Sequence, residues 1–292
     1  MTERRSLREQ LKARRGDRVI AAPGVYDMVS LRMAAGMGFD ALYMTGYGTV
    51  ASYLGLPDAG LASYSDMVGR VELMARMTEA PLIADGDTGY GGLLNVRHTV
   101  KGYERAGAAA IQIEDQEFPK RCGHTVGRRV IPAEDMVRKI AVAIEARTSP
   151  DFLIVVRTDA RSSLGLLEAI RRARTYAEAG ADLLFVESPE TEEEMAMIGR
   201  ELGDKPLVAN MVEGGRTPML TPERLAEIGY ALAIYPVSGL LSAAAALEAV
   251  YQQIRETGSS HGSPAPLYPF AKMNRLMGFE EVWLFDEQHE EI

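Results

Sequence analysis

The only cysteine of the 292 residues, Cys122, stands in Lys120-Arg121-Cys122-Gly123-His124, beside a histidine and two cations. Such neighbours favour ionisation of a thiol, which by itself suggests a nucleophile. An inert core cysteine has no use for them. Pro119, Gly123, Gly127 and a run of charges surround the stretch, so it is expected to be a mobile loop, a gate that closes over a site. A second set of residues has different chemistry. Asp85 and Asp87 flank Gly86, Glu114 and Asp115 follow an apolar run, and Asp159 and Glu187 follow two others. Asp85 and Asp87, two apart, would share one side of an extended stretch. Converging carboxylates repel one another unless a cation or protons intervene. Oxygen ligands from a few acids, with no His or Cys cluster, favour magnesium or manganese over zinc.

Arg157, with Lys120 and Arg121, supplies positive charge, and an arginine fork can grip a carboxylate with two parallel hydrogen bonds. Arg157 equally suits a structural ion pair with Glu187 or Asp159. Thr45-Gly46-Tyr47-Gly48 offers backbone amides that an anion can approach closely. Tyr43 fits either strand packing or acid–base work, Asn210 either a site or a turn cap, and His124 either the gate or a solvated loop. There is no Walker sequence and no strand-linked GxGxxG, so neither a nucleoside triphosphate nor a dinucleotide is implied.

These residues need elements to position them, and the chain provides a repeating grammar. Short apolar runs at Val19–Pro23, Ala41–Met44, Pro81–Ala84, Ala109–Ile113, Leu153–Val156, Asp182–Val186, Pro206–Ala209 and Leu232–Ile234 read as strands. Helical spacing follows each, over Tyr26–Met37, Ser63–Met77, Leu93–Ala106, Pro132–Arg147, Leu164–Ala179, Thr191–Leu202, Pro222–Ile228 and Ser238–Glu256. An outer helix over Ser6–Arg15 precedes them, and a long loop is expected between Met44 and Ser63. Nearly all-apolar strands alternating with amphipathic helices argue for a parallel sheet covered by helices, and eight units argue for a closed (β/α)8 TIM barrel. In such a barrel the strand ends carry the chemistry, which is where the acids fall. The reading is one barrel domain over residues 1–292, with 258–292 a C-terminal extension. Gly258–Pro269 is an exposed connection and Phe270–Asp286 a terminal helix.

A hydrophobic fraction of 47% with 25% charged residues is ordinary for a globular enzyme. A net charge of −9 counts against nucleic acid as partner, since phosphate backbones reward basic stripes. One cysteine rules out an intramolecular disulfide and suits a reducing compartment. With no signal-like or membrane-spanning apolar run, the expectation is a cytoplasmic protein with no membrane partner.

Taken together, Asp85-Gly86-Asp87-Thr88-Gly89-Tyr90-Gly91, Glu114-Asp115-Gln116 and Pro119 to His124 resemble the isocitrate lyase and phosphoenolpyruvate mutase superfamily, over essentially the whole chain. Gly86 replaces the family's usual alanine, and the gate with its cysteine resembles the lyase branch. The resemblance implies a barrel, magnesium, an α-keto or α-hydroxy acid substrate and a homotetramer exchanging the last barrel helix between subunits. It implies that Asp85 touches the metal directly, with Asp58, Asp87 and Glu114 acting through its waters. Thr45, Gly46 and Tyr47 match the segment holding a substrate carboxylate, Arg157, Glu187 and Asn210 match further site positions, and Cys122 matches the general acid, with Lys120, Gly123 and His124 around it. Tyr43 is the expected base. Tyr235-Pro236 and Ser238 resemble methylisocitrate lyases, which carry an arginine for an extra carboxylate where this chain has Leu241. An apolar wall cannot repay desolvation of a carboxylate. The expected substrate is therefore a small dicarboxylate with an apolar substituent, a 2-alkylmalate such as 2,3-dimethylmalate, cleaved to a keto acid such as pyruvate and a carboxylate. A carboxyvinyl-carboxyphosphonate phosphorylmutase, a methylisocitrate lyase and an oxaloacetate hydrolase or decarboxylase are the alternatives. Pro236, where a serine is expected for the oxaloacetate enzymes, lowers the last. A keto-acid-binding barrel without catalysis is the alternative outside enzymology.

Overall fold

The computed structural model describes residues 5–13, 18–122 and 127–289. Gly123 and His124 lie outside the described residues. Eight parallel strands, β1 (Ile20–Val25), β2 (Leu42–Met44), β3 (Leu82–Asp85), β4 (Ala110–Glu114), β5 (Leu153–Thr158), β6 (Leu183–Val186), β7 (Leu207–Asn210) and β8 (Tyr230–Tyr235), close into one barrel in sequence order. The seam is β1 on β8, with Ile20 opposite Leu232 and Pro23 opposite Tyr235. The TIM barrel expected from the sequence is therefore the fold.

Side chains alternate along each strand, so one set fills the barrel and the other meets the helices. Ile20, Ala22, Tyr43, Ile83, Ala110, Val155, Phe185, Val208 and Ile234 pack inside. Leu7 and Leu11 of helix α1 (Leu7–Ala13) join them, and Arg8 ties that helix to Asp182 and the Pro150 carbonyl at 2.7 Å. The outward set, including Leu42, Met44, Ile111, Ile154 and Leu184, packs with Met67, Val71, Val100, Tyr103, Ile140 and Met195 of the surrounding helices. Each such fully buried large side chain contributes roughly 1.5–3 kcal/mol.

The helices are α2 (Met28–Gly36), α3 (Gly46–Leu54), α4 (Tyr64–Ala75), α5 (Leu93–Arg105), α6 (Ala133–Ala146), α7 (Ala160–Leu164), α8 (Leu166–Glu178), α9 (Glu192–Leu202), α10 (Pro222–Glu227), α11 (Ser238–Thr257), α12 (Phe270–Leu276) and α13 (Phe279–Gln288). Several depart from the sequence reading. β1 runs through Pro23-Gly24 rather than stopping there, because Gly24 lets the strand press on Pro236: a Cβ would lie 2.5 Å from the Pro236 carbonyl oxygen. The stretch read as a long loop holds α3, capped by the Thr45 hydroxyl, which accepts from the Gly48 N–H, and ended by Gly55 in the left-handed region. β5 extends to Thr158, so Arg157 is a strand residue. Gly165 separates α7 from α8, and Gly278 (φ 88°) divides the expected terminal helix into α12 and α13. Asp87 is at φ 49°, so it is not the extended neighbour of Asp85 that the spacing suggests.

By compactness the chain divides into Met1–Ser238, which contains the barrel, and Gly239–Ile292. Within the second unit α12 packs with α13, and Phe279 stacks obliquely on Trp283 at 6.1 Å. None of the residues of α11, α12 or α13 is buried.

One glycine tests this packing directly. A Cβ on Gly199, in α9, would sit 1.7 Å from the Ile228 carbonyl oxygen, whereas one on Gly36 meets nothing within 4 Å. In urea unfolding followed by circular dichroism, Gly199→Ala is expected to lose about 3 kcal/mol or more by forcing backbone apart. Gly36→Ala should be neutral or gain up to about 1 kcal/mol from the restricted unfolded chain.

Candidate active site

The inward stripe of each strand turns polar at its C-terminal end. On β3 Ile83 gives way to Asp85; on β4 Ala110 gives way to Gln112 and Glu114; on β5 Val155 gives way to Arg157; on β6 Phe185 gives way to Glu187; on β7 Val208 gives way to Asn210. All of these polar residues are buried. The alternation that fills the barrel thus also aims one polar side chain after another at its C-terminal mouth.

On the floor, the Tyr43 hydroxyl donates to Gln112 Oε1 at 3.2 Å, and Gln112 Nε2 donates to Asp85 Oδ1 at 3.4 Å. The Asp87 N–H also donates to Asp85 Oδ1, at 3.1 Å, through the left-handed turn at Asp87. Lys120, 4% exposed, places its ammonium 2.5 Å from Asp58 Oδ1 and 2.7 Å from Asp87 Oδ1. Arg157 lies across the mouth. It grips Asp159 with two bonds of 2.9 Å and reaches Glu187 Oε2 at 3.1 Å and Glu114 Oε2 at 3.4 Å. Asn210 Nδ2 donates to Glu187 Oε2 at 3.1 Å, and the Ser188 hydroxyl donates to Glu187 Oε1 at 2.9 Å.

Carboxylates outnumber cations here. Asp58, Asp85, Asp87, Glu114, Asp159 and Glu187 face Lys120, Arg157 and Arg128, whose guanidinium meets Asp159 at 2.5 Å. Burial, partly opposed by Lys120, raises Asp85 above the ordinary carboxylate range and pushes Asp87 up to about 7. Burial raises Glu114 well above it, against the pull of Arg157. Lys120 and Arg157 are raised as well, but for the opposite reason: burial pulls them down, and the neighbouring carboxylates outweigh it and hold both firmly protonated. Burial and Asp85 also push the Tyr43 phenol well above its ordinary value, so it keeps its proton and donates.

Most of the expected site residues therefore converge: Tyr43, Asp58, Asp85, Asp87, Glu114, Lys120, Arg157, Glu187 and Asn210. Thr45 is buried as a helix cap, and Gly46 backs onto the cluster, since a Cβ there would lie 2.4 Å from Asp85 Oδ2. Tyr47 is 41% exposed, on the first turn of α3. Pro236 is buried beside Gly24 just after β8. Cys122 is half-buried and forms no disulfide. Lys120, read as a gate residue, is part of the buried cluster. Leu241 is 46% exposed on α11, in the second unit. Asp115 turns away from the others. It accepts from Thr158, Tyr176, Arg172 and the Asp159 N–H, stapling α8 to the ends of β4 and β5. Two residues escaped the sequence reading. Gln112 was signalled by being the polar residue two before Glu114 on an apolar strand; Arg128, between Gly127 and Arg129, carries no such signal.

The donor set fits a hard divalent cation. Its oxygens come from carboxylates whose surplus negative charge is unbalanced, and Glu114 Oε1 is buried without a hydrogen-bond partner among the described residues. Among those residues no three His, Cys, Asp or Glu side chains already stand as a ligand cluster.

The comparisons with known proteins point the same way. Residues 7–255 match the phosphoenolpyruvate phosphomutase family model. The chain is 44% identical to 2,3-dimethylmalate lyase of Eubacterium barkeri, covering 94% of each, and 42% identical to 2-methylisocitrate lyase of Aeropyrum pernix, covering 94% of this chain and 87% of that one. Among solved structures, oxaloacetate acetylhydrolase in complex with the inhibitor 3,3-difluorooxalacetate superposes with a TM-score of 0.91 at 36% identity, over 98% of this chain and 97% of that one. A phosphonopyruvate hydrolase complex with oxalate and Mg++ gives 0.87 at 31%, over the whole of both chains. A barrel whose strand ends gather these acids around Asp85, with such relatives, belongs to the phosphoenolpyruvate mutase/isocitrate lyase superfamily, and the chain is an enzyme of its lyase and hydrolase group, acting on keto or hydroxy acids.

Proposed function

We propose that this enzyme cleaves the carbon–carbon bond of a small 2-hydroxy dicarboxylate, a 2-alkylmalate such as 2,3-dimethylmalate, giving a 2-keto acid such as pyruvate and a simple carboxylate. The observation that carries the reading is the surplus of buried carboxylates around Asp85 facing the cation of Arg157, which suits a chelating hydroxy acid. Magnesium, or manganese in its place, would be held by Asp85, with Asp58, Asp87 and Glu114 through its waters, and would supply polarisation of the substrate's hydroxyl and carboxylate oxygens.

The chain's own groups do the rest. Thr45, Gly46 and Tyr47 receive the carboxylate next to the hydroxyl at the start of α3, since a helix N-terminus favours an anion. Arg157, set by Glu187 and supported through it by Asn210, stabilises negative charge as it develops. The substrate hydroxyl must lose a proton for its C–O to become C=O. Glu114 Oε1, raised in basicity by burial, takes that proton, while protonated Tyr43 donates a hydrogen bond. The bond between the carbinol carbon and its neighbour breaks, and its electron pair stays on the departing carbon beside that fragment's carboxylate. Cys122 Sγ–H then delivers a proton to this carbon, with Lys120, Gly123 and His124 forming the surrounding loop. The sequence at position 241 supports the substrate class: Leu241 matches the position at which tricarboxylate enzymes of this family carry an arginine, so the cation for a third carboxylate is missing there. The relative of Eubacterium barkeri is named for just such a substrate. We further propose a homotetramer exchanging the last barrel helix, supported by α11 to α13, which bury none of their residues and expose Tyr251, Phe270 and Trp283.

Three outcomes are expected. With magnesium, the purified protein should release pyruvate or another 2-keto acid from at least one 2-alkylmalate in a coupled dehydrogenase assay, and EDTA should abolish this until magnesium or manganese is restored; no keto acid from any alkylmalate sinks the reading. Cys122→Ser should lower kcat by about 100-fold or more with KM little changed, the size of a lost general acid; full turnover removes the thiol from the mechanism. Light scattering after gel filtration should give four times the monomer mass of 31.9 kDa, and a monomer would overturn the exchanged-helix proposal.

A further inference from the structure

Arg157 is asked to offer positive charge to a substrate while already facing three carboxylates, Asp159, Glu187 and Glu114. Its tightest partner is Asp159, which is fully buried and takes both of its parallel bonds. A single guanidinium so engaged has no charge left over for an anion. The structure supplies a second one. Arg128, on the far side of the loop from Lys120 and 5% exposed, lays NH1 on the same Asp159 Oδ1 at 2.5 Å and NH2 on the Ser162 hydroxyl at 2.5 Å. Its Nε is buried without a hydrogen-bond partner among the described residues. Leaving a buried donor unmet is costly, and a residue chosen only to tie the loop down through hydrogen bonds would not need that charge. With both arginines present Asp159 stays ionised below its ordinary range despite burial.

We infer that Arg128 is a positioning residue for anion binding: by offsetting the charge of Asp159 it frees the charge of Arg157 for the substrate's carboxylate, although among the described residues Arg128 itself bonds Asp159 and Ser162. The inference rests on the proposed role of Arg157 as the anion-holding cation. Its physical content is a charge count. Arg157 and Arg128 together face Asp159, Glu187 and Glu114 with a net charge of −1, whereas Arg157 alone faces the same three carboxylates at −2, so Arg128 removes one unit of the negative charge that opposes an incoming anion.

The test uses the full chain with magnesium and oxalate as the probe, read by isothermal titration calorimetry, with an NMR readout that needs no ligand. Arg128→Met should weaken oxalate binding by about tenfold, the order expected when a desolvated charge loses its partner. Arg128→Lys should recover most of it by keeping the charge, and Ser162→Ala should bind as the parent does. Arg128→Met/Asp159→Asn should regain affinity over Arg128→Met, because the surplus negative charge is gone; a merely structural arginine predicts a further loss instead. Should Arg128→Met fail to fold, Arg128→Gln and its Asp159→Asn double mutant replace it. The Arg157 Nε–H resonance, assigned by its disappearance in Arg157→Lys, should shift and exchange more slowly once Arg157 alone holds Asp159. An unmoved resonance, or a double mutant weaker than the single, overturns the inference. A resonance that shifts as expected in a protein whose parent form binds no oxalate supports the charge sharing and counts instead against the proposed function.

Discussion

The structure depends on one electrostatic imbalance. Six carboxylates are drawn out of water at the C-terminal mouth of the barrel with three cations among them. A buried charge without a partner is among the most expensive things a protein can contain, so such a cluster persists only where something else is meant to complete it. The large hydrophobic layers inside and outside the strands hold the acids at a separation they would not choose. In this sense the apolar core and the reactive mouth are one construction, since the same alternation of side chains produces both.

The cations are not interchangeable. Lys120 brings a compact ammonium to Asp58 and Asp87, on the side where a hard metal would be held. Arg157 spreads a planar charge over three acids of neighbouring strands and keeps their carboxylates in fixed directions. Tyr43 and Gln112 form the floor beneath both, and their hydrogen bonds orient Asp85 from below.

Much of this was legible in the sequence. Eight apolar runs, each followed by helical spacing, were enough for the barrel, because a parallel strand buried on both faces has no polar residue to hide. Acids just beyond those runs marked the mouth at which the structure gathers them. What was not legible depends on contacts between distant segments. Pro23-Gly24 reads as a stop, but the close approach of Pro236 keeps it in the sheet. Thr45 to Leu54 looks like loop because its glycines lower helix propensity, and capping by Thr45 with burial of Val50 overrides that. Tyr43 reads as a base by position, whereas its phenol, raised by burial and by Asp85 beside it, donates to Gln112. Arg128 was invisible, since its role is fixed by Asp159, thirty-one residues away.

Gly46 shows how narrowly the mouth is drawn. The first residue of α3 has no room for even a methyl group, because Asp85 Oδ2 occupies that space. Any replacement would evict the carboxylate on which the whole cluster turns, so position 46 is closed to variation whatever ligand is taken. Its neighbour Tyr47, one residue farther along and largely outside the cluster, is under no such restriction. The boundary between the fixed chemistry of this barrel and its adjustable selectivity therefore runs through a single peptide bond.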